Sequence, residues 1–274
     1  VFAAVLFGAL LHASWNALVK SSTDKTLDMA VIHVIGSLFA IPLVALVGWP
    51  SAAAWPFILS SVTIHIAYYI ATTQAYEHGD LGLTYPLMRG VAPLLVALSA
   101  TFTLSEQLSP MAWAGILGIS CGVLALGLTR QVWHAPKAVG FALANAVIIA
   151  IYTVVDALGV RASGNAMQYI ATLFLIDGWP FALLVYARRG RPMLAYARQR
   201  WPIASLGAVA SLGSYGIALW AMTRAPVATV AALRETSVLF AALLGAWLLK
   251  EAFTLRRLIG VCAIVAGVMA IRLG

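Results

Sequence analysis

Uncharged apolar runs of membrane-crossing length recur along all 274 residues, and no stretch alternates polar and apolar residues long enough to read as a strand. A crossing helix needs about 20 mostly apolar residues. The first run is 1–19, closed by Lys20. From Met29 to Tyr76 there is no Asp, Glu, Lys or Arg, which is too long for one crossing. The turn-forming stretch Trp49-Pro50-Ser51 to Trp55-Pro56 divides it into 28–48 and 56–76. Then come 81–104, 110–129, 138–160, 166–187, 202–223, 227–249 and 254–272. The pattern predicts an all-α integral membrane protein with ten transmembrane helices, because open sheet edges are excluded from lipid. The longest predicted connection, 188–201, leaves no room for a soluble domain.

The second half echoes the first. A shift of 145 residues lays Arg89 on Arg234, Glu106 on Glu251, Gly115 on Gly260 and Gly122 on Gly267. Between 87–127 and 232–272, 11 of 41 positions are identical without a gap. Residues 1–130 and 137–274 therefore read as two five-helix repeats in one structural unit. An odd number of crossings makes the second repeat enter the membrane inverted. Inverted repeats build transporters, with the substrate site between them near mid-membrane.

Composition agrees with lipid as the solvent: 62% apolar, 9% charged, mean hydropathy +0.95. A soluble domain is about one quarter charged. The net charge of +8 would suit nucleic acid, but the basic residues fall between the apolar runs. They read instead as topology signals and headgroup contacts, and no nucleic-acid partner is expected. Twelve of the 17 Lys/Arg fall in odd-numbered loops and three in even loops and the tail. That count predicts cytoplasmic odd loops with both termini outside. Cys121 and Cys262 lie in apolar runs and are expected to be small packing residues without a disulfide framework. With no basic segment before it, the run 1–19 reads as a crossing rather than a signal peptide. The absence of an initiator Met points to processing or trimming of a short tail.

Each half ends in a long apolar helix, a Leu-x-Glu and a glycine-rich helix. In the first half these are Pro93, Leu104-Ser105-Glu106, Trp113, Gly115, Gly118 and Gly122; in the second, Leu249-Lys250-Glu251, Gly260 and Gly267. With Trp15 and Lys20 in the first span, the chain resembles the EamA-type branch of the drug/metabolite transporter superfamily. The resemblance implies ten helices in two inverted five-helix repeats around a central cavity, and export of amino acids and related metabolites by many bacterial members. It also implies cytoplasmic termini, opposite to the charge count.

Arg89 and Arg234 each lie roughly eight residues inside a span, on the order of 12 Å deep. A charge there is costly unless paired or hydrated. Facing a cavity, a guanidinium can grip a carboxylate or phosphonate through a two-point fork; the structural alternative is pairing with Glu235, Glu77 or Asp80. For Arg234, pairing with adjacent Glu235 is the expectation. His65, Tyr69, Thr72 and Tyr76 share one helix face, with Tyr68 beside them. His12, Trp15 and Asn16, then Tyr85, then Tyr152, Thr153 and Asp156, then Ser211, Ser214, Tyr215 and Trp220 extend this polar-aromatic set. Together they fit an aromatic-walled small-molecule site. Trp49, Trp55, Trp133 and Trp201 read as interfacial belt residues. Asp177, before Gly178-Trp179-Pro180, and Glu235 are proton-coupling candidates; the alternative for Asp177 is hydrogen bonding to carbonyls freed by Pro180. Asp156 is expected near a helix end beside Arg161, in a structural role. Gly115, Gly118 and Gly122 with Gly260, Ala263 and Gly267 should let helices approach closely, within the bundle or in a dimer. Glu106 and Glu251 should cap the next helices along the chain. Pro86, Pro93, Gly213, Gly216 and Pro226 are candidate hinges.

The chain has no Gly-x-x-x-x-Gly-Lys and no His-Glu-x-x-His. No ATP hydrolysis, metal, cofactor or enzymatic activity is therefore expected. The reading is a secondary transporter of the bacterial inner membrane, monomeric or weakly dimeric, exporting amino acids or similar metabolites. The alternatives are uptake of an anionic or zwitterionic metabolite such as a phosphonate, and flipping of a lipid-linked substrate.

Overall fold

A computed structural model describes residues 1–20, 22–79, 81–127, 134–249 and 254–274, and among them every regular element is a helix. The first half contains α1 (Phe2–Lys20), α2 (Lys25–Val47), α3 (Trp55–His78), α4 (Leu81–Thr103) and α5 (Pro110–Gly127). The second contains α6 (Pro136–Ala162), α7 (Ala166–Arg189), α8 (Arg191–Met222), α9 (Val227–Arg234), α10 (Ser237–Leu249) and α11 (Leu255–Leu273). The eight helices α1 to α8 are long and apolar enough to cross a membrane. α11 carries Arg256, Arg257 and Arg272 within its 19 residues.

The boundaries have local causes. Asp24, Asn165 and Thr254 accept the free backbone N–H groups of Leu27, Met167 and Arg257 and so start α2, α7 and α11. Gly48 (φ +80°) and Gly190 (φ +64°) end α2 and α7 in backbone conformations that favour glycine. Gly190 also corrects the expected loop at 188–201. α7 runs to Arg189, and α8 starts at Arg191 with Pro192 in its first turn, leaving a one-residue connection. The arginine-rich stretch is helical because its other face packs inward: Met193 is buried, and Tyr196 and Arg200 bond Asp28 of α2 at 2.8 and 2.9 Å.

The predicted ninth span, 227–249, is broken. Glu235 N bonds Ala232 O, Thr236 N bonds Leu233 O, and the Thr236 hydroxyl donates to the same Leu233 carbonyl at 2.7 Å. These tight i−3 bonds divert carbonyls from the helical ladder, so α9 stops and α10 begins at Ser237.

The most extensive packings are α5 with α11, α2 with α7, α3 with α6 and α1 with α8. Exchanging first-half for second-half helices in chain order returns this same set. At the α5–α11 seam the glycines are required by proximity: a Cβ on Gly122 would lie 2.7 Å from Gly260 O, and one on Gly267 2.6 Å from Gly115 O. The small-residue pattern thus packs within the bundle. Cys121 and Cys262, on these two helices, are exposed rather than packed inside it.

Glu106 does not cap α5, whose first turn is capped by Ser109 Oγ accepting from Ala112 N at 3.0 Å. Its carboxylate reaches the second half, accepting from Val227 N (2.9 Å) and Ala228 N (3.4 Å) at the start of α9 and pairing with Arg161 at 2.9 Å. Glu251 lies outside the described residues.

Candidate functional site

The site is assembled where α1, α2, α3, α4, α6, α7, α8 and α9 converge on a cavity with about 530 Å³ of atom-free space, counted to its open mouth. On one wall Asp177 of α7 faces α3. It accepts from His65 Nδ1 at 2.8 Å and Tyr69 OH at 2.9 Å, and His33 Nδ1 of α2 lies 4.0 Å away. Tyr69 OH is also 3.2 Å from His33 Nδ1. Gly178 makes this approach possible, since a side chain there would collide with His33 O and Ser37 Oγ. The expected alternative for Asp177, bonding to carbonyls freed by Pro180, gives way to this His-Tyr-His cluster, and α7 runs through Pro180 unbroken.

Aromatic rings line the next wall. His65 is edge-on to Tyr152 at 4.5 Å and Tyr68 to Tyr152 at 5.8 Å between centroids. Tyr215 donates to Asp156 in a very short hydrogen bond, and Tyr169 donates to the other Asp156 oxygen at 2.8 Å. Asp156 is therefore wholly buried behind the cavity and holds Tyr215 in place, the structural kind of role expected of it. Arg161 donates to Met222 O and pairs with Glu106. On α1, Trp15 Nε1 donates to His12 Nδ1 at 3.2 Å, which requires that nitrogen to be unprotonated.

The two arginines behave differently. Arg89, 3% exposed, pairs through Nε with Glu235 Oε2 at 2.6 Å. Glu77, another expected partner, is exposed and accepts from Gln74, and Asp80 is outside the described residues. Arg234 does not pair with adjacent Glu235, correcting that expectation. At the end of α9 its guanidinium turns over the Tyr215 ring, 4.9 Å from the centroid, and among the described residues no carboxylate lies within ion-pairing distance. A guanidinium on an aromatic face is held by the ring quadrupole and keeps its hydrogen-bond donors free at the edge.

Of the residues expected from sequence, Trp15, His65, Tyr68, Tyr69, Arg89, Tyr152, Asp177, Tyr215 and Arg234 line the cavity. Asn16, Thr72, Tyr85, Trp220 and Glu235 do not. Asn16 donates to His12 O, Thr72 accepts from Asn145 Nδ2 at 2.9 Å, Tyr85 packs against the apolar core, and Trp220 carries Arg224 over its ring. Tyr85 and Trp220 are held in packing, Thr72 spends its hydroxyl on neighbouring α6, and Asn16 bonds the backbone of its own helix. Glu235 sits one contact behind the lining. His33 and Phe174 line the cavity without having been expected there. Each is an isolated residue in an apolar helix, so its neighbours in sequence carry no signal. The uncharged run 29–48, containing one histidine, was the available hint for His33.

Residues 136–273, half of the chain, match the EamA-like transporter family. The chain belongs to that family. This EamA-like transporter is thus a multi-pass membrane protein that carries a small-molecule substrate. Its fold is also found in a crystal structure described only as that of a protein, at TM-score 0.75 and 21% identity, covering 98% of this chain and 95% of the other. Comparison with curated proteins finds no match. The family match covers the second half, and the fold likeness extends over both halves.

Proposed function

We propose that this EamA-like transporter is a secondary transporter exporting amino acids or similar small metabolites across the bacterial inner membrane. Residues 1–130 and 137–274 act as inverted five-helix repeats, and α9 with α10 forms one interrupted crossing. The repeats rock about the cavity between them to give alternating access. The observation that carries the reading is Arg234, a buried guanidinium aimed into an aromatic-walled cavity with no carboxylate beside it among the described residues. A substrate carboxylate would pair with it, while an ammonium group would meet the Tyr68, Tyr69 and Tyr152 rings and Asp177 on the facing wall. The symmetry of the helix packings supports the repeat assignment.

Counterflow of labelled amino acids in proteoliposomes, with and without a pH gradient, tests this. Exchange of one amino-acid class is expected, and silence across the panel from folded protein would overturn it. Asp177, facing His65, His33 and Tyr69, is the favoured proton carrier and Glu235 the second candidate. Asp177→Asn should flatten the pH dependence of counterflow, and an unchanged profile would remove it from that role. Uptake of an anionic metabolite such as a phosphonate is the second reading, favoured by two buried arginines of which only Arg89 is paired with a glutamate.

A further inference from the structure

Arg89 Nε and Glu235 Oε2 approach to 2.6 Å, while Arg89 Nη2 is buried without an acceptor. A buried ion pair offsets its lost hydration only when its remaining donors and acceptors are also satisfied. This pair leaves them open. The charges are uneven as well, since Arg234 beside it has no carboxylate within ion-pairing distance among the described residues. Glu235 is mounted on a joint: it caps the end of α9, and α10 starts only at Ser237. Its carboxylate can therefore turn aside without unwinding a helix.

We infer that Glu235 is a tethered stand-in for the substrate's carboxylate, occupying Arg89 while the cavity is empty and releasing it when a carboxylate enters. The inference rests on the reading that the cavity takes a carboxylated substrate. An entering carboxylate can accept from Nε and Nη2 together as a fork, which the contact of Glu235 through Nε alone does not achieve. It also supplies Arg234 with a counter-ion. One anion replaces another at Arg89, so the buried guanidinium is compensated throughout the exchange. Arg89 lies on α4 in the first half and Glu235 at the α9–α10 joint in the second, so binding also releases one charged tie between the halves. Competition between the two carboxylates makes Glu235 a determinant of affinity although it does not line the cavity.

Calorimetric titration of the purified protein in detergent with sodium acetate tests the exchange directly. Glu235→Gln should tighten acetate binding by roughly tenfold or more, because the competitor is gone and Arg89 is left uncompensated. Glu235→Asp, whose shorter carboxylate reaches Arg89 less well, should fall between Glu235→Gln and wild type. The gain should vanish in the Arg89→Gln/Glu235→Gln double variant. Acetate binding in wild type with no gain in either single variant, or a gain that persists without Arg89, overturns the displacement alone. If wild type and both single variants, folded by circular dichroism, take up no acetate, the carboxylate reading of the cavity falls together with the inference.

Discussion

Arg89 and Arg234 stand at equivalent positions of the two halves and meet different partners. Arg89 continues into α4, which stays helical to Thr103 although Pro93 lies within it. Arg234 ends its helix within one residue. The difference lies in the four residues after each arginine: Gly90-Val91-Ala92-Pro93 in the first half, Glu235-Thr236-Ser237-Val238 in the second. Glycine and apolar residues offer the backbone no competing hydrogen bond, whereas Thr236 takes a carbonyl with its hydroxyl. A proline inside a helix costs more than a threonine on average, yet here the threonine side marks the break. A shared framework can thus be made asymmetric by a few side chains, and the asymmetry falls at the charged centre of the molecule.

The largest effect is expected from Arg89→Ala, which strands Glu235 as a buried, unpaired carboxylate and should cost about 3–5 kcal/mol of stability. Thermal unfolding in detergent measures this, and the Arg89→Gln/Glu235→Gln double variant should recover most of the loss. A double variant as unstable as the single would show that the loss does not come from a stranded carboxylate. Arg234→Gln removes only a guanidinium from the Tyr215 face and should cost about 1 kcal/mol. Its transport of carboxylated substrates should nevertheless fall at least as far as that of Arg89→Gln. Equal stability losses for the two arginines would erase the contrast between them. The smallest effect belongs to Thr236→Val, which removes the hydroxyl bond to Leu233 at a cost of about 1 kcal/mol or less. It should slow amide hydrogen exchange around 235–237 by letting the helix close, and unchanged exchange would place the cause of the break elsewhere.

The helices were legible because lipid imposes one rule over about 20 residues at a time. Long apolar runs with few charges marked the spans, and the shared face of His65 and Tyr69 was readable from helical spacing. The α8 start was missed because arginines near a membrane surface look the same in a loop and in a helix whose other face is buried by Met193 and Tyr196. Glu235 was among the expected partners of Arg89, but the surroundings of Arg234 were missed for another reason. Arg89 and Glu235 are 146 positions apart in the sequence, and neighbouring Arg234 and Glu235 look like a natural pair although helix geometry points them apart. The partners of Asp156 were missed because Tyr169 and Tyr215, which hold it, belong to other helices.

α8 is 32 residues long, about 48 Å, against a hydrocarbon core of about 30 Å. One stretch of it lines the cavity at Tyr215, and another, some 22 Å away by helical rise, is fastened to α2 through Arg200 and Asp28. One continuous helix, with Pro202 between the two places, couples them. A tilt of roughly 10° about Tyr215 would swing Arg200 by about 4 Å, more than its bond to Asp28 can stretch. Small adjustments around a bound molecule would thereby be delivered, enlarged, to the arginine-rich surface of the membrane.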